Sequence, residues 1–550
     1  MIKKSKMGLT IKLSIVIVLL LLLVSASISC NAFSTRSHFP DGFIFGAATS
    51  AYQIEGAYLE DGNGLSNWDV FSGTNGSTTE GGNGYIADDD YHRFLEDIEI
   101  LHSLGVDAYR FSISWTRVLP KGKFGEVNPL GILFYQKIID NLLLRGIKPF
   151  VTIHHFDYPQ ELEDRYGGWL SPLMQEDFVY FAETCFRNFG DRIKYWTTIN
   201  EPNIVAMMAY ERGLFPPGHC SLPFGNCSAG NSDIEPLVAV HNMMLAHGKA
   251  VKLYRERFKA KQGGIIGIVV NVLMYEPLTD DEIDKAAAER SLAFDAAWVL
   301  DPVVFGEYPP EMRRIHGNQL PNFTTDEKMI MKDSVDFIGI NHYATLYAKD
   351  CIYSSCKCDP LDSSCVPGGD RSIRGFASSV SEREGIPIGE PTGIFRFFVV
   401  PRGMKEAVDY VKRRYHNKPM FITENGYSSP NNPVEINEIK DDQKRVEYHK
   451  AYLSYLLQAI RNGADVRGYF IWSLMDNFEW NSGYKVKFGL YYVDYRTLAR
   501  IPRSSSVWYK DFLSNNAKAK NEILLKNKDG INLQYQVIRP EEARKMYSEA

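Results

Sequence analysis

The sequence predicts an α/β protein built as a single (β/α)8 barrel, and three observations carry that prediction. Short runs rich in Val, Ile and aromatic residues alternate with longer amphipathic stretches, the pattern of βαβ units on a parallel sheet. Eight such runs occur, the number that closes a TIM-type barrel. No repeat of short period and no linker divides the 550 residues, so the Gly-, Ser- and Pro-rich stretches at 214–233 and 351–395 are expected as long βα loops on one scaffold.

In order, the runs are FIFGAATSAYQ (43–53), VDAYRFSI (106–113), KPFVTIHH (148–155), YWTTIN (195–200), GIIGIVVNV (264–272), DFIGINHY (336–343), KPMFITEN (418–425) and RGYFIWSLM (467–475). Between them, YHRFLEDIEILHSLG, ILFYQKIIDNLLLRG and the stretch from Glu235 to Phe258 space their apolar residues by three and four. That period is the one an outer ring of helices needs to pack on a barrel. FVYFAETCFRNFGDRI has the same spacing and places Cys185 as a buried free thiol.

The runs end on polar or functional side chains: Gln53, Arg110, His155, Asn200 with Glu201, Asn271, Asn341 with Tyr343, Glu424, and Trp472. In a barrel such ends converge on the C-terminal face, where active sites lie. A carboxylate at a strand end entering the rim is costly without a partner or a task. One isolated Glu is explained by a rim salt bridge; two, each beside an Asn and converging on one mouth, point to catalysis. Paired carboxylates without a metal-ligand cluster suit acetal hydrolysis, one protonating the departing oxygen while the other attacks or activates water. No cofactor or metal is needed.

FPDGFIFGAATSAYQIEGA, NWDVF, YRFSISWTRVLP, TTINEPN, DFIGINHY, FITENGY, GYFIWSLMDNFEW and FGLYYVDY, in order from about Phe39 to Phe512, resemble glycoside hydrolase family 1, the retaining β-glucosidases. The resemblance implies that Glu424 is the nucleophile and Glu201 the acid that becomes the base. It places Arg110, Asn341 and Tyr343 beside the nucleophile and Asn200 on the sugar 2-hydroxyl. Gln53, His155, Glu479 and Trp480 are implied as sugar-binding residues, with Trp472 as the platform beneath. The family's thioglucosidase branch carries Gln in place of the acid, so retention of Glu201 implies an O-glycosidase. Phe156 stands where the family usually has Trp, which keeps a ring and loses an N–H donor.

HHFDYPQELEDRYGGW, GINHYATLYAKDC and the Cys-rich insert from Cys351 to Cys365 most resemble the plant branch acting on monolignol glucosides such as coniferin and syringin. A transglucosidase would use the same glutamates, and a cell-wall oligosaccharide could occupy the same site. The expected partner is therefore a small-molecule β-glucoside. Nucleic acid is excluded on charge, since 61 Lys and Arg against 67 Asp and Glu give −6. Rings are abundant, with 31 Tyr, 31 Phe and 8 Trp, more than a core of this size requires, and some are expected to stack on a ligand.

Residues 1–30 read as a secretory signal peptide: lysines, then LSIVIVLLLLLV, then small residues. The apolar run falls short of the roughly 20 residues needed to span a bilayer, so no membrane anchor is expected in the mature form. The domain plan is thus a leader at 1–30, the barrel at 31–514 and a Lys-rich extension at 515–550. Cell wall (apoplast) or vacuole is the expected destination. Sequons at Asn75, Asn226 and Asn322 fit that route, as do local disulfides drawn from Cys220, Cys227, Cys351, Cys356, Cys358 and Cys365.

Overall fold

The computed structural model describes residues 35–74, 76–356, 367–429 and 435–514. The leader, the C-terminal extension, Asn75, Cys358 and Cys365 lie outside the described residues. Eight parallel strands close a barrel in sequence order. They are β1 (Ile44–Ala48), β2 (Ala108–Ser112), β3 (Lys148–His154), β4 (Tyr195–Asn200), β5 (Ile265–Asn271), β6 (Phe337–Asn341), β7 (Met420–Asn425) and β8 (Val466–Trp472). β8 returns to β1 through the register Ile44–Gly468 to Ala48–Trp472.

The principal outer helices are α1 (Asp90–Leu104), α2 (Pro129–Leu144), α3 (Leu173–Phe189), α4 (Glu235–Arg257), α5 (Glu282–Phe294), α6 (Ala296–Phe305), α7 (Arg402–Arg414) and α8 (Gln443–Arg461). The predicted helices match α1, α2, α3 and α4. Local signals set their ends: Asn128 accepts the Leu130 N–H ahead of Pro129 at the first turn of α2, and Gly105 closes α1 in the left-handed region. Cys185 is the free, buried thiol of α3.

Many of the aromatic residues prove to be structural. Phe150, Phe337, Phe421 and Phe470 project into the lumen with Tyr195 and fill the lower barrel as a floor of rings. Phe150 meets Phe470 at 5.0 Å, Phe421 at 5.4 Å and Phe337 at 5.6 Å between centroids. Space for the rings comes from glycines in neighbouring strands. A Cβ on Gly46 would lie 2.4 Å from Phe470, and one on Gly267 2.8 Å from Phe337. Large and absent side chains are thus interleaved to reach close packing. Phe150→Ala is expected to cost about 3–5 kcal/mol of stability, read from the denaturant midpoint. A loss under about 1 kcal/mol would show that the floor is not close-packed.

Three differences from the sequence reading stand out. The first run is strand only as far as Ala48; the chain then turns into a short helix, Ala51–Ile54, which carries Gln53. Arg110 sits in the middle of β2 and not at its end, and the length of its side chain brings the guanidinium to the site. The stretch 351–395 is not plain loop: Ala377–Val380 joins Thr345–Asp350 and Met274–Pro277 in a small sheet, and shorter strand pairs follow.

Cys220–Cys227 and Cys351–Cys356 are disulfides, each closing a short loop. Asn226 and Asn322 are exposed. Among the described residues no helix is long and apolar enough to cross a membrane, and no three His, Cys, Asp or Glu side chains gather as a metal site.

Candidate active site

Both glutamates are placed by interruptions of strand register. Along β7, Phe421 faces the lumen floor and Ile422 packs outward, so strict alternation would turn residue 424 outward as well. The pairing of β7 with β6 slips between Ile422 and Glu424, and Glu424 enters the barrel. β4 slips against β5 between Thr197 and Asn200. Glu201 then adopts a left-handed backbone (φ 45°) that caps the turn Pro202–Val205. Such irregularities re-aim side chains at strand ends.

The two carboxyls are joined by a buried polar network. One Glu424 oxygen accepts from Arg110, and the other accepts the Tyr343 hydroxyl at 2.6 Å. Arg110 Nη2 also donates to Asn200 Oδ1 at 2.8 Å. Asn341 Nδ2 donates to Asn200 Oδ1 at 3.2 Å and to Glu201 Oε1 at 2.8 Å, and Asn271 Nδ2 adds a second donor to that oxygen at 2.9 Å. Thr423 Oγ1 donates to Asn341 Oδ1 at 2.7 Å, which fixes the orientation of that amide. Asn200 Nδ2 lies 3.2 Å from His155 Nε2. Since the Asn200 oxygen already accepts twice, its NH2 is the group left for a ligand hydroxyl.

The environments of the two glutamates differ. Glu201 is pushed up to about 8, first by burial and then by the negative Glu424, against the lowering effect of the Asn271 and Asn341 amides. Glu424 instead has a guanidinium on one oxygen and a phenol on the other. Burial and Arg110 hold the His155 imidazole well below its usual range, so it is neutral. Burial and Glu424 raise the Tyr343 phenol.

These residues face a cavity of about 420 Å³ at the C-terminal end of the barrel, lined by His155, Glu201, Tyr343, Glu424, Trp472, Glu479 and Trp480 among others. The rings of Trp472 and Trp480 lie near-parallel to His155 at 5.9 and 6.0 Å. Phe156 packs against Trp480 at 5.0 Å. Gln53 Nε2 donates to Glu479 Oε2 at 3.3 Å and to the Asn477 side chain at 3.0 Å. Burial followed by Glu424 raises Glu479 to about 8 as well. All of the sugar-binding and catalytic positions expected from the sequence therefore meet in one place.

Sequence reasoning passed over several contributors. Asn271 ends the fifth run and was legible as a strand end, but its bond to Glu201 was not. Thr423 gives no signal beyond adjacency to Glu424. Arg212, Tyr275 and Arg374, which line another part of the same cavity, come from three separate segments.

A chemistry of two buried carboxyls held in different protonation environments is the one that acetal cleavage uses. The chain is 54% identical over 481 residues to a rice (Oryza sativa subsp. japonica) protein named probable inactive β-glucosidase 14, covering 87% of this chain and 91% of that one. It is 47% identical over 485 residues to the coniferin β-glucosidase of Pinus contorta, covering 87% and 93%. A solved rice β-glucosidase mutant, in a covalent complex with glucose, superposes with a TM-score of 0.82 at 45% identity, covering 86% of this chain and 98% of that one. The glycosyl hydrolase family 1 profile matches residues 35–518. On that match, and with the paired glutamates at the mouth of its barrel, the chain belongs to glycosyl hydrolase family 1, the family of the β-glucosidases.

Proposed function

We propose that the protein is a retaining β-glucosidase acting on aryl or phenylpropanoid β-D-glucosides, monolignol glucosides such as coniferin among them. The observation that carries this reading is the asymmetry between the two glutamates on one cavity: Glu201 raised to about 8, Glu424 bonded by Arg110 and Tyr343. Protonated Glu201 gives its proton to the glycosidic oxygen while Glu424 attacks the anomeric carbon, forming a glucosyl ester and releasing the aglycone. Esterification removes the negative charge of Glu424, one of the two causes that raise Glu201. Glu201 thereby becomes a better proton acceptor just when a water must be activated. Gln53, His155, Asn200, Glu479 and Trp480 supply the polar edge for the glucose hydroxyls, and Trp472 a flat apolar face.

The covalent glucose complex of the rice relative and the name of the pine relative support the mechanism and the aglycone class respectively. The rice relative named probable inactive makes turnover the first thing to measure. Both glutamates are present here. In an assay of aryl β-glucosides and oligosaccharides, kcat/KM for coniferin is expected to exceed that for cellobiose by about tenfold or more. A preference for cellobiose would sink the aglycone assignment, and no turnover of any β-glucoside would sink the enzymatic one.

We also propose delivery through the secretory route to cell wall or vacuole, supported by the leader and by the two disulfides, which persist in oxidising compartments. N-terminal sequencing of the protein from its source tissue is expected to start near residue 31; an intact leader would overturn this.

A further inference from the structure

The wall of the active-site cavity is unevenly charged. Glu201, Glu424 and Glu479 gather where the sugar binds in the proposed reading. Asn203 connects this region to a second one: its Nδ2 donates to Asn271 O at 2.9 Å and to Asp295 Oδ1 at 2.5 Å. There Arg212, Arg374 and Tyr275 line the same cavity among apolar side chains such as Phe294, Trp298 and Ile373.

Three guanidinium groups, Arg212, Arg374 and Arg396, lie close enough to act on one another and on Tyr275. The carboxylates that oppose them are Glu211 and Asp295; nearby Asp233 is paired with Arg371. Arg374 is held by Glu211, with Nε donating at 2.9 Å. Arg396 donates to Ser379 O at 2.6 Å.

Arg212 is different. Among the described residues its guanidinium makes no hydrogen bond, and the one carboxylate within reach is Glu211 at 4.0 Å, already bonded by Arg374. Its side chain is 28% exposed, toward the cavity it lines. Among the described residues the Tyr275 hydroxyl makes no hydrogen bond either. Burial and Arg374 lower Arg212 only to about 10, so it is cationic at neutral pH. Burial raises Asp295 to about 6, which weakens the opposing charge below that pH. A cation and a phenol thus stand without hydrogen-bond acceptors among the described residues on an apolar wall, an arrangement that favours an anion carried by a ring.

We propose that Arg212, with the Tyr275 hydroxyl, is a subsite for a carboxylate on the aglycone, so that among phenylpropanoid glucosides the protein prefers those of phenolic acids over those of the corresponding alcohols. The Glu424 carboxylate at the sugar end repels such a group and Arg212 attracts it, which orients the substrate along the cavity. The inference rests on the reading of this cavity as a glucoside site.

The matched probes are the 4-O-β-D-glucosides of ferulic acid and coniferyl alcohol, which differ only at CO2⁻ against CH2OH. Binding is measured by calorimetry on Glu201→Gln protein, with and without Arg212→Gln. The acid is expected to bind about 10- to 100-fold more tightly, the range of a charge-assisted hydrogen bond. Arg212→Gln should bring the two affinities together, and Arg212→Lys should keep part of the difference. Equal affinities with Arg212 present, an unchanged ratio in Arg212→Gln, or binding of neither glucoside would each overturn the proposal. Turnover by the unmutated protein is read separately: selective binding without hydrolysis would refute the enzymatic reading and leave the subsite standing.

Discussion

Glu424→Ala is expected to lower kcat on every β-glucoside by on the order of 10⁴-fold or more, because no other group faces the anomeric carbon as a nucleophile in the proposed geometry. The fold should survive. Arg110 keeps acceptors in the Asn200 side chain and the Thr423 carbonyl. A cation with 0% exposure nonetheless loses its carboxylate, so a stability loss of about 3–5 kcal/mol accompanies the change. Added azide can enter the space left by the carboxylate. It should restore turnover and give the α-glucosyl azide, since one displacement replaces two. Retained hydrolysis in the variant, or a β-configured azide product, would remove Glu424 from the nucleophile role.

The second large effect concerns Glu201. As the proposed acid it works protonated, and with the group raised to about 8 that form dominates below about pH 8. The sign follows: kcat/KM should be sustained through neutrality and fall as pH rises through about 8. Glu201→Gln should lower kcat/KM for alkyl-type leaving groups by about 10²–10⁴-fold and abolish the alkaline limb. Cleavage of 2,4-dinitrophenyl β-glucoside, whose leaving group needs no proton, should suffer far less in the bond-breaking step. Glu479 is raised to about the same value, so Glu479→Gln is the necessary control. An alkaline limb that persists in Glu201→Gln and vanishes in Glu479→Gln would reassign the titrating group.

Much of this site was legible because barrel strands put their last residues at one mouth. Asn200, Glu201, Asn341, Glu424 and Trp472 all end apolar runs, and the runs are long enough to be recognised from residue type alone. What alternation could not give is the face on which each side chain lands. Counting by two from Phe421 puts Glu424 outside; a slip in pairing, a property of two strands together, brings it into the barrel. Gln53 and Arg110 were attributed to strand ends that lie elsewhere, because the first run continues without a break into a helix and a long side chain can reach the site from mid-strand.

The cavity beyond the sugar was least legible. Arg212 follows the fourth barrel strand while Arg374 and Arg396 lie 22 residues apart in the long excursion after the sixth, and each taken alone reads as an ordinary surface charge. Only the folded arrangement shows that Arg374 holds the shared Glu211 carboxylate by hydrogen bond and leaves it 4.0 Å from Arg212. The ring count was likewise ambiguous in sequence: Trp472 and Trp480 border the cavity, whereas Phe150, Phe337, Phe421 and Phe470 serve the barrel itself.

The phenylalanine floor also makes the cavity a dead end. With Phe150 and Phe470 wholly buried and Phe421 nearly so, nothing passes through the barrel from below, and all traffic uses one mouth. On the proposed mechanism the aglycone must depart before anything else can approach the glucosyl ester, and the volume it vacates is the volume that water or another alcohol next occupies. Hydrolysis and glucosyl transfer are then rival outcomes of one refilling event, settled by which hydroxyl arrives and stays. Glucose, at the blind end, leaves last, so accumulated glucose should compete with incoming substrate, whereas released aglycone can act as an acceptor while the ester still stands.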